Sequence, residues 1–139
     1  MDIQQVDSYN FSASIPPILL ASDSPRGGEL LHRNLQQEGF RVHLAPGYQD
    51  LEPIWQQCRP PMRQHLDGVV LLEVSKLQSV EAAVDLAMRL KRRDARQFVG
   101  YLADPILRTS GLAGDAIFPR STHHLPQALH DYFRIEDSL

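Results

Sequence analysis

Residues 66–74, LDGVVLLEV, form the most apolar run in the chain, and what they can become limits everything around them. Valine and leucine follow one another there without polar alternation, the pattern of a strand covered on both faces. Such strands sit in the middle of parallel sheets whose crossover helices lie over both sides. A carboxylate near the end of this run, Glu73, enters a buried sheet and needs a partner there.

From Ile18 onward, short apolar runs alternate with segments of helical spacing. Residues 18–21 predict a first strand, ending at Ser22, Asp23, Ser24 and Pro25. Asp or Ser can cap a helix at that point, and proline suits its first turn. Leu30, Leu31 and Leu35 make the apolar side of that helix, and Gly39 falls where its C-cap belongs. Residues 40–45 predict a second strand. A short helix follows with Leu51, Ile54 and Trp55, Trp55 reading as a core anchor, and it stops before Pro60 and Pro61.

Ser79 opens a helix in which Val80, Ala83, Val84, Ala87, Met88 and Leu90 approximate a 3.6-residue period. Residues 98–103 and 116–118 predict the fourth and fifth strands. Between them Pro105, Gly111 and Gly114 leave room for only a short or broken helix. The last helix carries Leu125, Leu129 and Phe133 on one face, with Pro126 in its first turn. The expected fold is therefore α/β, a flavodoxin-like doubly wound sheet of five parallel strands in the order 2-1-3-4-5. Helices lie on both faces, and the fourth is short or irregular. Residues 1–17 read as a flexible leader, 18–133 as the domain, and 134–139 as a tail or the start of a linker.

Fourteen Lys and Arg against 17 Asp and Glu give a net charge of -3, which argues against direct nucleic-acid binding. The cluster Lys91, Arg92 and Arg93 reads as a solvated helix end. With one cysteine, Cys58, no internal disulfide is available, and the thiol reads as a bystander in a reducing, cytoplasmic setting. No run approaches the roughly 20 apolar residues that a membrane-crossing helix needs.

Ligands of doubly wound sheets bind at the carboxyl ends of the strands, which selects Ser22, Asp23, Glu73, Ser75, Leu102 and Arg120. Two stretches at those ends, ILLASDSP and DGVVLLEVSKL, resemble the acidic turn and the phosphoacceptor strand of response-regulator receiver domains, and the resemblance covers about residues 18–133. Receivers hold Mg²⁺ with an acidic pair, the acceptor aspartate and a backbone carbonyl two residues beyond it. By that match the acidic pair is Ser22 and Asp23, the acceptor is Glu73, and the carbonyl belongs to Ser75. The hydroxyl residue that reads phosphorylation corresponds to Leu102, and the lysine after the fifth strand to Arg120, which here follows Pro119.

What the resemblance implies is a degenerate pseudo-receiver, with at most weak Mg²⁺ binding at Asp23 and Glu73, no other cofactor and no catalytic residues. Glu73 is one methylene longer than aspartate, which misplaces in-line attack, and a structural ion pair with Arg120 is preferred to a reactive group. Asp23 reads equally as a helix cap and as a vestigial metal ligand. Such a domain regulates through a protein partner or an attached output domain, as part of bacterial two-component or transcription signalling, and can form a homodimer. Two alternatives stand beside it: an atypical receiver that still takes up phosphate, and a flavodoxin-like protein holding a small molecule or nucleotide in the SPRGG loop. The six histidines are scattered or, at His123 and His124, adjacent, so they read as surface or capping groups rather than metal ligands.

Overall fold

The computed structural model describes residues 15–58 and 68–138. Five strands, β1 (Ile18–Ser22), β2 (Val42–Leu44), β3 (Val69–Val74), β4 (Phe98–Ala103) and β5 (Ala116–Phe118), form one sheet in the order β2-β1-β3-β4-β5. All four pairings are parallel, as both-face burial of residues 69–74 requires. The helices are α1 (Pro25–Gln37), α2 (Tyr48–Cys58), α3 (Val80–Arg93) and α4 (Leu125–Ser138). The doubly wound fold expected from the sequence is the fold observed, including the reduced crossover between β4 and β5. A single 3-10 turn, Pro105–Leu107, stands there in place of a helix.

Two cores lie on the two faces of the sheet. On one, α1 and α4 bring Leu31, Leu35, Leu125, Leu129 and Phe133 onto Leu20, Leu71, Phe98 and Leu102. On the other, α2 and α3 bring Leu51, Trp55, Leu86 and Leu90 onto Val70, Leu72, Val99 and Tyr101. Leu71 and Leu72, adjacent in β3, are each 0% exposed, so the central strand is sealed on both sides. Trp55 is core, as expected, and donates its indole N–H to Gln97 Oε1 at 2.7 Å. Gln97 in turn donates to the carbonyls of Gly68 and Phe98, so this buried amide is satisfied at both ends.

Several expectations need correction. Leu30 and Met88 were placed on apolar helix faces, yet they are 58% and 51% exposed. Each lies one position away from a buried neighbour, Leu31 or Ala87, and 100° of rotation carries it out of the core stripe. Strand β2 is shorter than 40–45, spanning Val42–Leu44, with Phe40 and Ala45 buried just beyond its ends and the Ala45 N–H donating to the Leu20 carbonyl of β1 at 2.8 Å. Ile15, assigned to the leader, is 2% exposed in the core under α1 and α4, while α4 runs past Phe133 to Ser138. The basic end of α3 is more than solvated: Lys91 pairs with Asp115 at 2.6 Å and Arg93 with Glu52 at 2.7 Å. His130 is buried beside the Phe40 ring, with centroids 4.9 Å apart, and is no surface residue. Residues 1–14, residues 59–67 with Pro60, Pro61 and the start of the LDGVVLLEV run, and the side chain of Cys58 lie outside the described residues.

Candidate functional site

Parallel register carries the site across the carboxyl end of the sheet. Ser22 pairs with Glu73, Glu73 with Leu102, and Leu102 with Phe118, so four side chains share one row on one face. The row changes character at its middle. Ser22 and Glu73 are polar and buried, at 5% and 1% exposure, whereas Leu102 and Phe118 belong to the apolar core.

Both carboxylate oxygens of Glu73 are engaged. The Ser22 hydroxyl lies 2.6 Å from Oε1, and the Arg120 Nε–H donates to Oε2 at 3.0 Å. Ser22 Oγ is also 2.8 Å from the carbonyl oxygen of Ser24. Its one proton goes to the carboxylate, the stronger acceptor. The far side of the Arg120 guanidinium donates to Asp104 Oδ2 at 3.0 Å, so one cation bridges the exits of β3 and β4. Burial works against the charge on Arg120, but its hydrogen bonds and attraction to Glu73 and Asp104 outweigh that and raise its pKa above the ordinary value.

The backbone of Glu73 is held as firmly as its side chain. Its carbonyl accepts from the Tyr48 hydroxyl at 2.5 Å and from the Asp23 N–H at 3.3 Å. Burial first, then the nearby charges of Asp23 and Glu73, push the Tyr48 phenol far above its usual range. Asp23 faces the next loop, where Oδ2 accepts the Ser75 N–H and Oδ1 the Ser75 hydroxyl, both at 2.8 Å. The cap of α1 is Ser24, which accepts from the Gly27 N–H at 3.3 Å, so Asp23 is not the helix cap.

Gly27 and Gly28 explain the SPRGG turn. A Cβ on Gly27 would stand 2.8 Å from Glu73 Oε1, and one on Gly28 would stand 3.0 Å from Ser22 Cβ. Both glycines let the first turn of α1 lie directly over the Ser22–Glu73 pair, with the positive end of the helix near the carboxylate. The glycines are accounted for by this internal contact.

Of the residues that the sequence selects, the structure brings Ser22 and Arg120 onto Glu73, and sets Asp23 on Ser75 apart from them rather than with Ser22 in one acidic pocket. Leu102 is in register with Glu73 but offers no polar atom, and it is 0% exposed. Tyr48, Gly27 and Asp104 were missed. Asp104 directly follows β4 at the same sheet end as Glu73, a position that could have been weighed.

Mg²⁺, which the resemblance implies at Asp23 and Glu73, does not fit these residues as they stand. A dication at the outer oxygen of Glu73 would face the Arg120 guanidinium already seated there, and both oxygens of Asp23 already accept hydrogen bonds. Among the described residues no three His, Cys, Asp or Glu side chains are grouped to hold a metal, and no helix is long and apolar enough to cross a membrane.

No protein-family model matches the sequence, and no curated protein matches it significantly. Solved structures do match. A response regulator from Thermotoga maritima aligns over 86% of this chain and 98% of its own with a TM-score of 0.60, at 16% identity. The chemotaxis protein CheY4 of Vibrio cholerae aligns over 84% and 98% with a TM-score of 0.56, at 15% identity. Identities this low speak to architecture, and the chain accordingly has the CheY-like, flavodoxin-like fold.

Proposed function

We propose that the chain is a receiver-fold signalling domain that regulates by contact with a protein partner or an attached output domain, without aspartyl phosphorylation. The observation that carries this reading is the closure of Glu73. A carboxylate 1% exposed, with Ser22 on one oxygen and Arg120 on the other, has no free face from which to attack a phosphoryl donor. Leu102 supports the same reading, since its place in β4 beside Glu73 offers no hydroxyl to report a phosphoryl group.

In this reading the Arg120 bridge holds the β3 and β4 exits in one arrangement without a modification, so the surface offered to a partner is constant. The domain has no catalytic activity, needs no Mg²⁺ or other cofactor, does not itself bind nucleic acid, and works in the bacterial cytoplasm. Its output is two-component or transcription signalling set by the amount and availability of the domain.

The test is intact mass after incubation with Mg²⁺ and acetyl phosphate, on the wild type and on Glu73→Asp in parallel. The expected result is no gain of about 80 Da, one phosphoryl group, in the wild type. A wild-type adduct that maps to this sheet end overturns the reading. Uptake by Glu73→Asp alone is consistent with it and assigns the block to the longer side chain.

A further inference from the structure

With only a 3-10 turn between β4 and β5, the outer side of α3 has no neighbouring helix among the described residues, and a groove runs between α3 and the bend at Ser110 and Gly111. The groove is lined on the α3 side by Leu77, Glu81, Val84, Asp85 and Met88. Leu77 and Met88 are 65% and 51% exposed, two large apolar side chains on one unpartnered face.

The order of chemistry along this face is what identifies its occupant. Glu81, Asp85, Met88 and Arg92 follow one another at i, i+4, i+7 and i+11, the spacing of a helix–helix seam. Acid lies at the amino end, methionine in the middle and a cation at the carboxyl end. Asp85 already pairs with Arg89 at 2.8 Å. Among the described residues neither Glu81 nor Arg92 has an ion-pair partner on its own chain, and both are exposed.

We propose that this face of α3 is a self-association surface on which a second copy of the chain packs its own α3 antiparallel. A two-fold axis at the level between Leu86 and Ala87 sets Glu81 of each copy opposite Arg92 of the other, and sets Met88 of each copy opposite Asp85 of the other, where Asp85 keeps its pairing with Arg89. A parallel arrangement would instead set acid against acid and cation against cation. The surface is self-complementary in the way a two-fold contact demands, and antiparallel helices also oppose their dipoles favourably. Each copy contributes a helix about 21 Å long, from 14 residues, so the contact is small and its dissociation is visible on dilution.

The inference does not depend on how Glu73 behaves, and its test uses no phosphoryl donor. The full chain is followed by sedimentation velocity from about 1 μM to about 200 μM, with circular dichroism and thermal melts confirming that each variant is folded. The expected result is a monomer–dimer equilibrium that Met88→Asp and Arg92→Glu each weaken at least about tenfold. The double reversal Glu81→Arg with Arg92→Glu restores it to within about threefold of wild type, because the opposed charges are exchanged rather than lost. A chain that stays monomeric over the whole range overturns the proposal. So does a dimer indifferent to Met88→Asp, which would have to use another face.

Discussion

Removing one end of the Glu73–Arg120 contact differs in kind from removing both. Arg120→Ala leaves a carboxylate that is 1% exposed with a single hydroxyl donor, and breaking a buried pair in this way costs about 3–5 kcal/mol. The Arg120 side chain is 30% exposed, so solvent offsets part of the loss and about 2–3 kcal/mol is expected. Replacing both residues by methionine removes the charge as well as its partner, and the double variant should lie within about 1 kcal/mol of the wild type. Urea denaturation of the single and double variants checks this. A single variant no worse than the double would mean that Glu73 does not depend on Arg120. Asp104 is the lesser member of the trio, being 50% exposed, and its loss should cost under about 1 kcal/mol.

At the scale of elements, the first turn of α1 inverts an ordinary rule. Glycine to alanine inside a helix usually gains roughly 1 kcal/mol. At Gly27 the added methyl would stand 2.8 Å from Glu73 Oε1, and that oxygen is fixed by Ser22 and Arg120 and cannot give way freely. Gly27→Ala should therefore lower the melting temperature of the wild type and raise it in a Glu73→Ala background, a change of sign that thermal melts read directly. The same turn marks how far sequence reading reaches. The strands and helices were legible because burial on two faces and on one face leave different periods, and Pro105, Gly111 and Gly114 announced the weak crossover. Glu73 and Arg120 were legible as a pair because a carboxylate in a sealed strand has few ways to be satisfied. What Gly27, Tyr48 and Asp104 do was not legible, since each acts through a close approach between elements that no spacing along the chain records. Leu30 and Met88 misled for the opposite reason: a period shared with core residues does not say which edge of the stripe meets water.

Over the whole molecule, two tyrosines tie neighbouring segments to the sheet, and both must remain neutral to do so. Tyr48 donates from the start of α2 to the Glu73 carbonyl, and Tyr101 donates from β4 to the carbonyl of Ala113 at 3.0 Å. Gly114 makes the second contact accessible, since a Cβ there would stand 2.6 Å from the Tyr101 ring. Burial, with Asp115 nearby, pushes the Tyr101 phenol from its ordinary 10.0 up to about 12. A folded pKa raised in this way stabilises fully below the unfolded value and is lost as pH rises toward the folded one. Stability should thus hold up to about pH 10 and fall between about pH 10 and 12, with Tyr101 contributing a slope of up to about 1.4 kcal/mol per pH unit. Tyr101→Phe should cost about 1 kcal/mol at neutral pH by forfeiting the bond to Ala113. The variant keeps no phenol to ionise at that position, so its alkaline loss is shallower and the two proteins converge as pH rises. Urea melts of both at about pH 8 and about pH 11 measure the gap, and a gap that stays constant would mean that the fold does not hold this phenol neutral.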